Sequence, residues 1–325
     1  MPIVLIADQV APKCDEILRE GGVEVERCAD ISEADLAGRI GPFQGVIVRS
    51  RIRITRDHIG AGSSLRIIGR AGAGVDNIDV AAATERGIVV VNAPASNTQS
   101  VAEHVFALML AAARHVVRSC EGMRRGQWDR HRYMGGELAG KTIGIVGYGK
   151  IGRRVAEMAQ AWKMRVVANS PSAMRDPSRR DSMRKEGVEL LDLSEVLRES
   201  DFVTLHTPLS GSTRKMMGPE QFRLMKPTAV LINTSRGGVI DEGALKGALE
   251  GGAIAAACLD VFEKEPPPDE WPLRGVENLI LTPHLAASTH EAQTRAALDI
   301  AREFVGYFKW GSAPSAVNPQ VLRKK

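Results

Sequence analysis

The segment KTIGIVGYGKIGRRVAEMAQAW, residues 141–162, constrains the fold more than any other part of the chain. A short β-branched apolar run passes directly into three closely spaced glycines and then into an amphipathic stretch, the pattern of a buried strand, a tight turn and a helix. Each glycine has a physical task. Gly147 permits the turn, Gly149 lets the backbone approach a pyrophosphate, and Gly152 lets the helix lie against the strand. Lys150 and Ile151 open that helix, whose N-terminal N–H groups and dipole favour a phosphate. The implied ligand is a dinucleotide.

A strand–turn–helix of this kind needs neighbours of the same kind, and the rest of the sequence supplies them. Short apolar runs alternate with amphipathic segments from end to end, as in parallel sheets covered by helices. Before residue 100 the candidate strands are IVLIAD, VEVERC, QGVIVRS, LRIIGRAG and IVVVNAP, separated by helical stretches such as 11–20, 33–40 and 79–86. One long helix is expected from about Ser100 to Arg118. A second series follows, with strands KTIGIVG, MRVVANS, VELLDL, DFVTLHT, AVLINTS, AAACLDV and LILTPH, and it ends near Ala287. The last helix, Thr289 to Phe308, has no strand nearby and is expected to return to the first unit. The expected fold is therefore α/β with two doubly wound parallel-sheet domains. A Rossmann cofactor domain at 100–287 is inserted in a flavodoxin-like substrate domain made of 1–99 and 288–325. Two chain crossings form a hinge, and a ligand cleft is expected there.

Composition excludes several functions. The excess of 43 basic over 39 acidic residues is small and only 4% of residues are aromatic, so neither a phosphate-tracking stripe nor base stacking is expected, and nucleic acid is not a partner. Cys14, Cys28, Cys120 and Cys258 are widely spaced with no C-x-x-C pair, which points to free thiols in a reducing, cytoplasmic compartment and to no metal site. The N-terminus lacks the features of a signal peptide. The longest apolar stretch, Val101 to Val117, is interrupted by Glu103, His104, Arg114 and His115, so a buried or interface helix is expected and not a membrane span.

In a dinucleotide domain the second strand ends in a carboxylate that binds the adenosine ribose when the cofactor is NAD. Here Asn169 or Ser170 takes that place. Without the negative charge a 2′-phosphate is not repelled, and Arg175, Arg179 or Arg180 in the following loop could attract it. NAD and NADP both stand.

The chemistry lies further along. Hydride transfer to a 2-oxo acid needs an anchor for the carboxylate and a proton donor for the developing alkoxide. Arg236, in NTSRGG at a strand end, offers a forked guanidinium for the carboxylate. His284, in LTPHLAAS, also follows a strand, and its imidazole titrates near neutrality. A nearby carboxylate would raise its pKa and keep a proton available. Glu263 and Glu265 in FEKEPP point the same way, and spacing does not choose between them. Asp260 closes the strand before them, where it would bond a nicotinamide carboxamide or serve as a turn aspartate.

GYGKIG, the segment His206–Thr207–Pro208–Leu209, NTSRGG, LDVFEKEP and TPH occur in the order that resembles the D-isomer-specific 2-hydroxyacid dehydrogenases. By that resemblance the catalytic residues are Arg236, Glu265 and His284. The dinucleotide would contact Gly147, Gly149, Lys150, Ile151, Gly152, Ser170, His206, Thr207, Pro208, Thr234, Ser235 and Asp260. VRS at 48–50, GRAGAGVDNID at 69–79 and RYMGGEL at 132–138 are most similar to the 3-phosphoglycerate branch of the family. Arg49, Ser50, Arg70, Ala71, Gly72, Ala73, Gly74 and Asn97 would then meet the substrate, a small anionic 2-hydroxy or 2-oxo acid.

Read as an extended segment, RSRIR places Arg49, Arg51 and Arg53 on one face, suited to a second anion on the substrate or to a solvated edge. The helix over Val101 to Val117 resembles the family's dimerisation element, which implies a homodimer. The sequence stops at Lys325, so feedback through a C-terminal regulatory domain is not expected. The alternatives are a glyoxylate or hydroxypyruvate reductase and, in a different class, a dinucleotide-sensing corepressor.

Overall fold

The computed structural model describes residues 1–324 and contains two compact units, residues 1–97 with 287–324 and residues 98–286. The divisions fall two residues and one residue earlier than the sequence pattern suggests.

In the first unit β1 (Ile3–Ile6), β2 (Glu24–Arg27), β3 (Gly45–Val48), β4 (Ile67–Arg70) and β5 (Val89–Asn92) form a parallel sheet in the order β2-β1-β3-β4-β5. This is the flavodoxin-like order. The connections are α1 (Lys13–Glu20), α2 (Glu33–Arg39), α3 (Arg56–Ala61) and α4 (Val80–Glu85). Because alternate strand residues point to opposite faces, Val4, Ile6, Ile47, Ile67, Val89 and Val91 enter one core and Leu5, Val46, Val48, Ile68 and Val90 the other. The first core is closed by the terminal helix His290–Trp310, through Ala297, Ile300 and Phe304. Phe304 is fully buried over two strand glycines. A Cβ at Gly45 or Gly69 would come within 2.6 or 2.5 Å of its ring. Burying such a ring stabilises the unit by about 2–3 kcal/mol.

Two local readings change here. The segment after Val48 does not run extended; it bends over Ser50–Ile52, so the three arginines do not share a face by period-two alternation. Thr55 and His58 then close a capping box that starts α3, a helix the apolar pattern did not reveal because it spans under two turns.

The second unit opens with α5 (Thr98–Ala113) and α6 (Val116–Arg124), where a single helix was expected. Their axes differ by 60°. His115 between them has φ 51°, a left-handed conformation that interrupts the i to i−4 hydrogen-bond ladder. No single helix among the described residues is long and apolar enough to cross a membrane.

Strands β6 (Thr142–Val146), β7 (Arg165–Asn169), β8 (Glu189–Leu190), β9 (Phe202–Leu205), β10 (Val230–Asn233), β11 (Ala256–Leu259) and β12 (Leu279–Leu281) are all parallel, in the order β12-β11-β10-β9-β6-β7-β8. The order reverses between β6 and β9, the switch point at which doubly wound sheets open a crevice beyond their strand ends. One face packs on α5 and α7 (Lys150–Ala161). After β7 the expected loop forms α8 (Pro171–Arg175) and α9 (Pro177–Lys185), each with a proline in its first turn. The other face carries α10 (Leu193–Glu199), α11 (Pro219–Leu224) and α12 (Glu242–Glu250). The terminal helix, α13, belongs to the first unit.

Candidate functional site

The glycine turn shows which of its residues answer to packing and which to a ligand. Gly147 has φ 100°, and a Cβ there would lie 2.5 Å from the His206 carbonyl oxygen. A Cβ at Gly152 would lie 2.4 Å from the Gly147 oxygen. Side chains are excluded at both positions by the protein itself. At Gly149, the N-cap of α7, an added Cβ meets nothing within 4 Å. The space above it is where a phosphate can approach the first turn, Lys150 to Gly152. At the end of β10 the Thr234 Oγ1 is buried and makes no hydrogen bond, and an orphaned hydroxyl costs about 1–3 kcal/mol unless a ligand satisfies it. Open space at the second glycine and an unused hydroxyl fit a bound dinucleotide.

Around this turn, Tyr148 donates from its hydroxyl to Glu186 at 2.7 Å, a latch from the glycine turn to the end of α9 that the motif did not announce. His206 lies 3.0 Å from Thr204 Oγ1, and burial pushes its pKa down to about 4, so the ring is neutral at physiological pH. Beyond it, Thr207 is half-buried and the Pro208 carbonyl accepts from Thr213 at 2.6 Å. Ser170 is buried as the N-cap of α8, accepting from the Ala173 amide at 3.4 Å. Among the cations beyond it, Arg179 pairs with Asp176 at 3.4 Å and Arg180 donates to the Met174 carbonyl at 2.7 Å, while Arg175 is exposed.

Arg236, Glu265 and His284 come together at the strand ends on the far side of the switch point. Asn233, fully buried at the end of β10, shapes the arginine turn: its amide donates to the Arg236 carbonyl at 2.9 Å, and its oxygen accepts from the Ser235 amide and hydroxyl at 3.0 and 2.8 Å. Gly237 then lets the Phe262–Glu263 peptide pass so close that a Cβ would lie 1.8 Å from the Phe262 carbonyl carbon. Glu242 at the start of α12 fixes that peptide. Its buried carboxylate accepts from the Glu263 amide at 2.9 Å and the Trp271 indole at 2.7 Å. Glu263 is thereby set aside, and Glu265 reaches His284.

The Glu265 Oε2 to His284 Nδ1 distance is 2.7 Å, and Glu265 Oε1 accepts from the Phe262 amide at 3.1 Å. The hydrogen bond to Glu265 raises the His284 pKa against desolvation, the charges of Glu265 and Asp260 raise it further, and the nearby Arg236 charge lowers it. For Glu265, burial pushes upward, but the hydrogen bonds from His284 and the Phe262 amide hold it below the usual carboxylate range. A carboxylate accepts, so Nδ1 carries the donated proton and Nε2 is left to exchange one with a substrate.

Of the two roles the sequence left open for Asp260, the structure shows the turn aspartate. It is fully buried, and its carboxylate accepts from Thr282 Oγ1 at 2.6 Å and from the Leu285 and Ala286 amides at 2.7 and 2.8 Å. It is the aspartate that builds the His284 turn. Glu242 and Trp271 escaped the sequence reading because their contacts join segments 21 and 29 residues apart, and Asn233 because a buried asparagine closing a strand carries no motif of its own.

In the first unit the structure separates the substrate candidates. Arg51 donates to the carbonyls of Ile31 and Ala7 at 2.9 and 3.0 Å and lies 3.6 Å from buried Asp8. Its guanidinium ties loops together, contrary to the expected anion-binding role. Arg49 donates from its side chain to the Gln9 carbonyl at 3.0 Å. Ser50 is exposed at the bend, and the Arg53 amide donates to Glu33 at 2.7 Å. In the glycine loop after β4, the Ala71 and Gly72 amides donate to Val48 and Arg70 at 2.8 and 2.7 Å. The Arg70 side chain crosses the place a Cβ of Gly72 would occupy, 1.5 Å from its Nη1. Ala73 and Gly74 continue the loop, and Asn97 is the last residue before the chain enters the second unit.

A cavity of about 460 Å³ opens at the opposite end of the second sheet, among Phe202, Val230, Ala256 and Leu279, the first residues of β9 to β12. It is separate from the histidine site.

Residues 106–286 match the family profile described as D-isomer specific 2-hydroxyacid dehydrogenase, NAD binding domain. The chain is 42% identical over 315 residues to D-3-phosphoglycerate dehydrogenase of Archaeoglobus fulgidus, a match covering 97% of this chain and 59% of the relative. It is 44% identical over 324 residues to D-3-phosphoglycerate dehydrogenase of Methanocaldococcus jannaschii, covering 99% of this chain and 60% of the relative. It thus spans about three fifths of the length of these curated relatives. Among solved structures, an NADPH-dependent glyoxylate/hydroxypyruvate reductase from Sinorhizobium meliloti in complex with citrate superposes with a TM-score of 0.85 at 29% identity, over 98% of this chain and 99% of that one.

Proposed function

The chain belongs to the D-isomer-specific 2-hydroxyacid dehydrogenase family, and from that premise we propose that it is an NAD(P)-dependent oxidoreductase interconverting a small 2-hydroxy acid and its 2-oxo acid. The observation that carries the reading is the 2.7 Å His284–Glu265 pair with the Arg236 charge beside it, at the strand ends of a sheet whose glycine turn fits a dinucleotide. The bound dinucleotide supplies or accepts the hydride. Arg236 holds the substrate carboxylate through its guanidinium fork. His284, kept protonated by Glu265, delivers the Nε2 proton to the carbonyl oxygen during reduction and recovers it during oxidation. The unsatisfied Thr234 hydroxyl and the open face of Gly149 are where the cofactor would be held.

For the substrate, the reading is 3-phosphoglycerate and its 2-oxo partner, supported by the names of the 42–44% identical relatives. Arg49, Arg53 and Arg70 are the cations offered for its phosphate. A glyoxylate or hydroxypyruvate reductase is the second reading, favoured by the engagement of Arg51 with backbone carbonyls and by the absence of a carboxylate at Ser170. The exposed apolar residues Val116, Val117, Met123, Trp128 and Met134 support a homodimer. The four free cysteines favour the cytoplasm.

The test is oxidation of NADH and of NADPH by the purified protein with 3-phosphohydroxypyruvate, hydroxypyruvate and glyoxylate, followed at the nicotinamide absorbance. Preference for the phosphorylated acid is expected. Turnover confined to the unphosphorylated acids selects the reductase, and turnover of none refutes the enzyme reading.

A further inference from the structure

We propose that His104, on α5, is a positioning residue for His284, an inference that rests on the oxidoreductase role given to His284 above. Thr282 Oγ1 lies 2.6 Å from Asp260 Oδ1 and 3.1 Å from His104 Nε2. A hydroxyl has one hydrogen to donate, and an ionised carboxylate only accepts. Asp260 is held ionised: burial pushes its pKa up, but the hydrogen bonds from His104, Thr282 and the Leu285 and Ala286 amides leave it below the usual carboxylate range. Thr282 therefore donates to Asp260, and His104 Nε2 donates toward both Thr282 Oγ1 and, at 3.4 Å, Asp260 Oδ1. The His104 ring must carry a proton on Nε2 and direct it into the turn.

That donor chain ends at the catalytic histidine. The Asp260 carbonyl accepts from the His284 amide at 2.9 Å, while its carboxylate holds the next two amides, those of Leu285 and Ala286. His284 has φ 54°, a left-handed conformation unfavourable for a residue with a Cβ. Such a conformation persists only where its surroundings over-determine it. His104 supplies one of those restraints from a rigid support. Its neighbours Val101, Val105 and Leu108 are buried, and the Leu108 carbonyl accepts from Cys258 Sγ of β11 at 3.7 Å. The helix thus braces the turn that keeps His284 Nδ1 within reach of Glu265. The charged groups facing His284 are Glu265, Asp260 and Arg236; Asp260 is the one that also faces His104.

Three variants test this. His104→Leu keeps the volume without the donor, His104→Gln restores an N–H, and Thr282→Val removes the hydroxyl that both groups share, leaving only the 3.4 Å approach of His104 to Asp260. The first readout is the titration midpoint of His284 from its ring proton resonances, which needs no turnover. The second is kcat and KM for 2-oxo acid reduction. Glu265 stabilises the imidazolium only while the turn holds the pair together, so His104→Leu and Thr282→Val are expected to lower the midpoint. Both should cut kcat about fivefold, the kinetic equivalent of one net hydrogen bond, with KM little changed. His104→Gln recovers both quantities, and combining the Leu and Val changes is no worse than either alone. An unchanged or raised midpoint in His104→Leu, a Gln variant no better than Leu, or additive losses in the double variant overturns the proposal. If His104→Leu does not fold, Thr282→Val decides by the same two readouts. A parent protein that reduces no 2-oxo acid refutes the function, while the resonance midpoint still decides whether His104 braces the turn.

Discussion

Gly237→Ala strikes the active-site geometry without touching any reacting group. Gly237 opens the short turn Gly237–Val239 directly after Arg236. An added Cβ would lie 1.8 Å from the Phe262 carbonyl carbon, 2.0 Å from its oxygen and 2.4 Å from the Glu263 nitrogen. Carbon atoms in contact need more than 3 Å, so the two backbones must part by more than about 1 Å. No flexible side chain is present to yield. The Glu263 amide is tied to Glu242, and the Phe262 amide is tied to Glu265 Oε1, so the displacement falls on Arg236 and Glu265 together. A shift of about 1 Å in catalytic groups costs about a hundredfold in rate, or about 2.7 kcal/mol. The expected result is that fall in kcat/KM for 2-oxo acid reduction, read at the nicotinamide absorbance. Dinucleotide binding, read by fluorescence, should fall much less than kcat/KM, because the glycine turn is separate and, of Gly149 and Thr234, only Thr234 lies near the displaced turn. Circular dichroism checks the fold. A folded variant with kcat/KM within about threefold of the parent, too small a loss for a shift of this size, refutes the reasoning.

Three further outcomes are expected. Glu265→Gln removes the charge and the ionic hydrogen bond that raise the His284 pKa, so the fall of reduction with rising pH should move to lower pH, and the rise of oxidation with it; a profile that stays in place contradicts the pairing. The raised imidazole value also means that the contribution of His284 to stability is full below the unfolded histidine pKa and lost as pH rises through the folded one, while that of Glu265, with its lowered value, is lost as pH falls through its folded pKa. Gly149→Val should leave thermal stability within about 1 kcal/mol, since the space is open, yet weaken dinucleotide binding more than about tenfold by calorimetry. Arg51→Ala should lower the thermal midpoint and affect phosphorylated and unphosphorylated substrates alike, because the guanidinium holds the Ile31 and Ala7 carbonyls; selective loss of the phosphorylated substrate would restore it as an anion ligand.

What the sequence disclosed followed the range of each interaction. Strand and helix identity is written in periodicity over a few residues, so the runs IVLIAD through LILTPH became β1 to β12 with trimmed ends. Gly147, Gly149 and Gly152 were legible because a turn is local. The break at His115 was not, since it depends on one backbone conformation within an unbroken apolar pattern. The anion role expected of Arg51 failed, and the choice between the two roles open to Asp260 stayed undecided, for a different reason: their polar atoms are claimed by Ile31, Ala7, Leu285 and Ala286, which only the folded chain brings near. The resemblance named Glu265 over Glu263, but the physical reason, Glu242 holding the Glu263 amide and the Trp271 indole, was visible only in the folded chain.

Phe304 over Gly45 and Gly69 governs the order in which this protein can mature. During synthesis residues 1–97 leave the ribosome before residues 98–286, yet the helix that covers one side of their sheet is made only after all of residues 98–286 have emerged. The continuous second unit can complete its own core in the meantime, so the portion translated later is expected to reach its native state earlier. Until His290–Trp310 arrives, Val4, Ile6, Ile47, Ile67, Val89 and Val91 present an uncovered apolar surface, the condition under which nascent chains associate wrongly. Slow emergence or truncation before Phe304 should therefore endanger residues 1–97, and they should set the chaperone dependence of this unit.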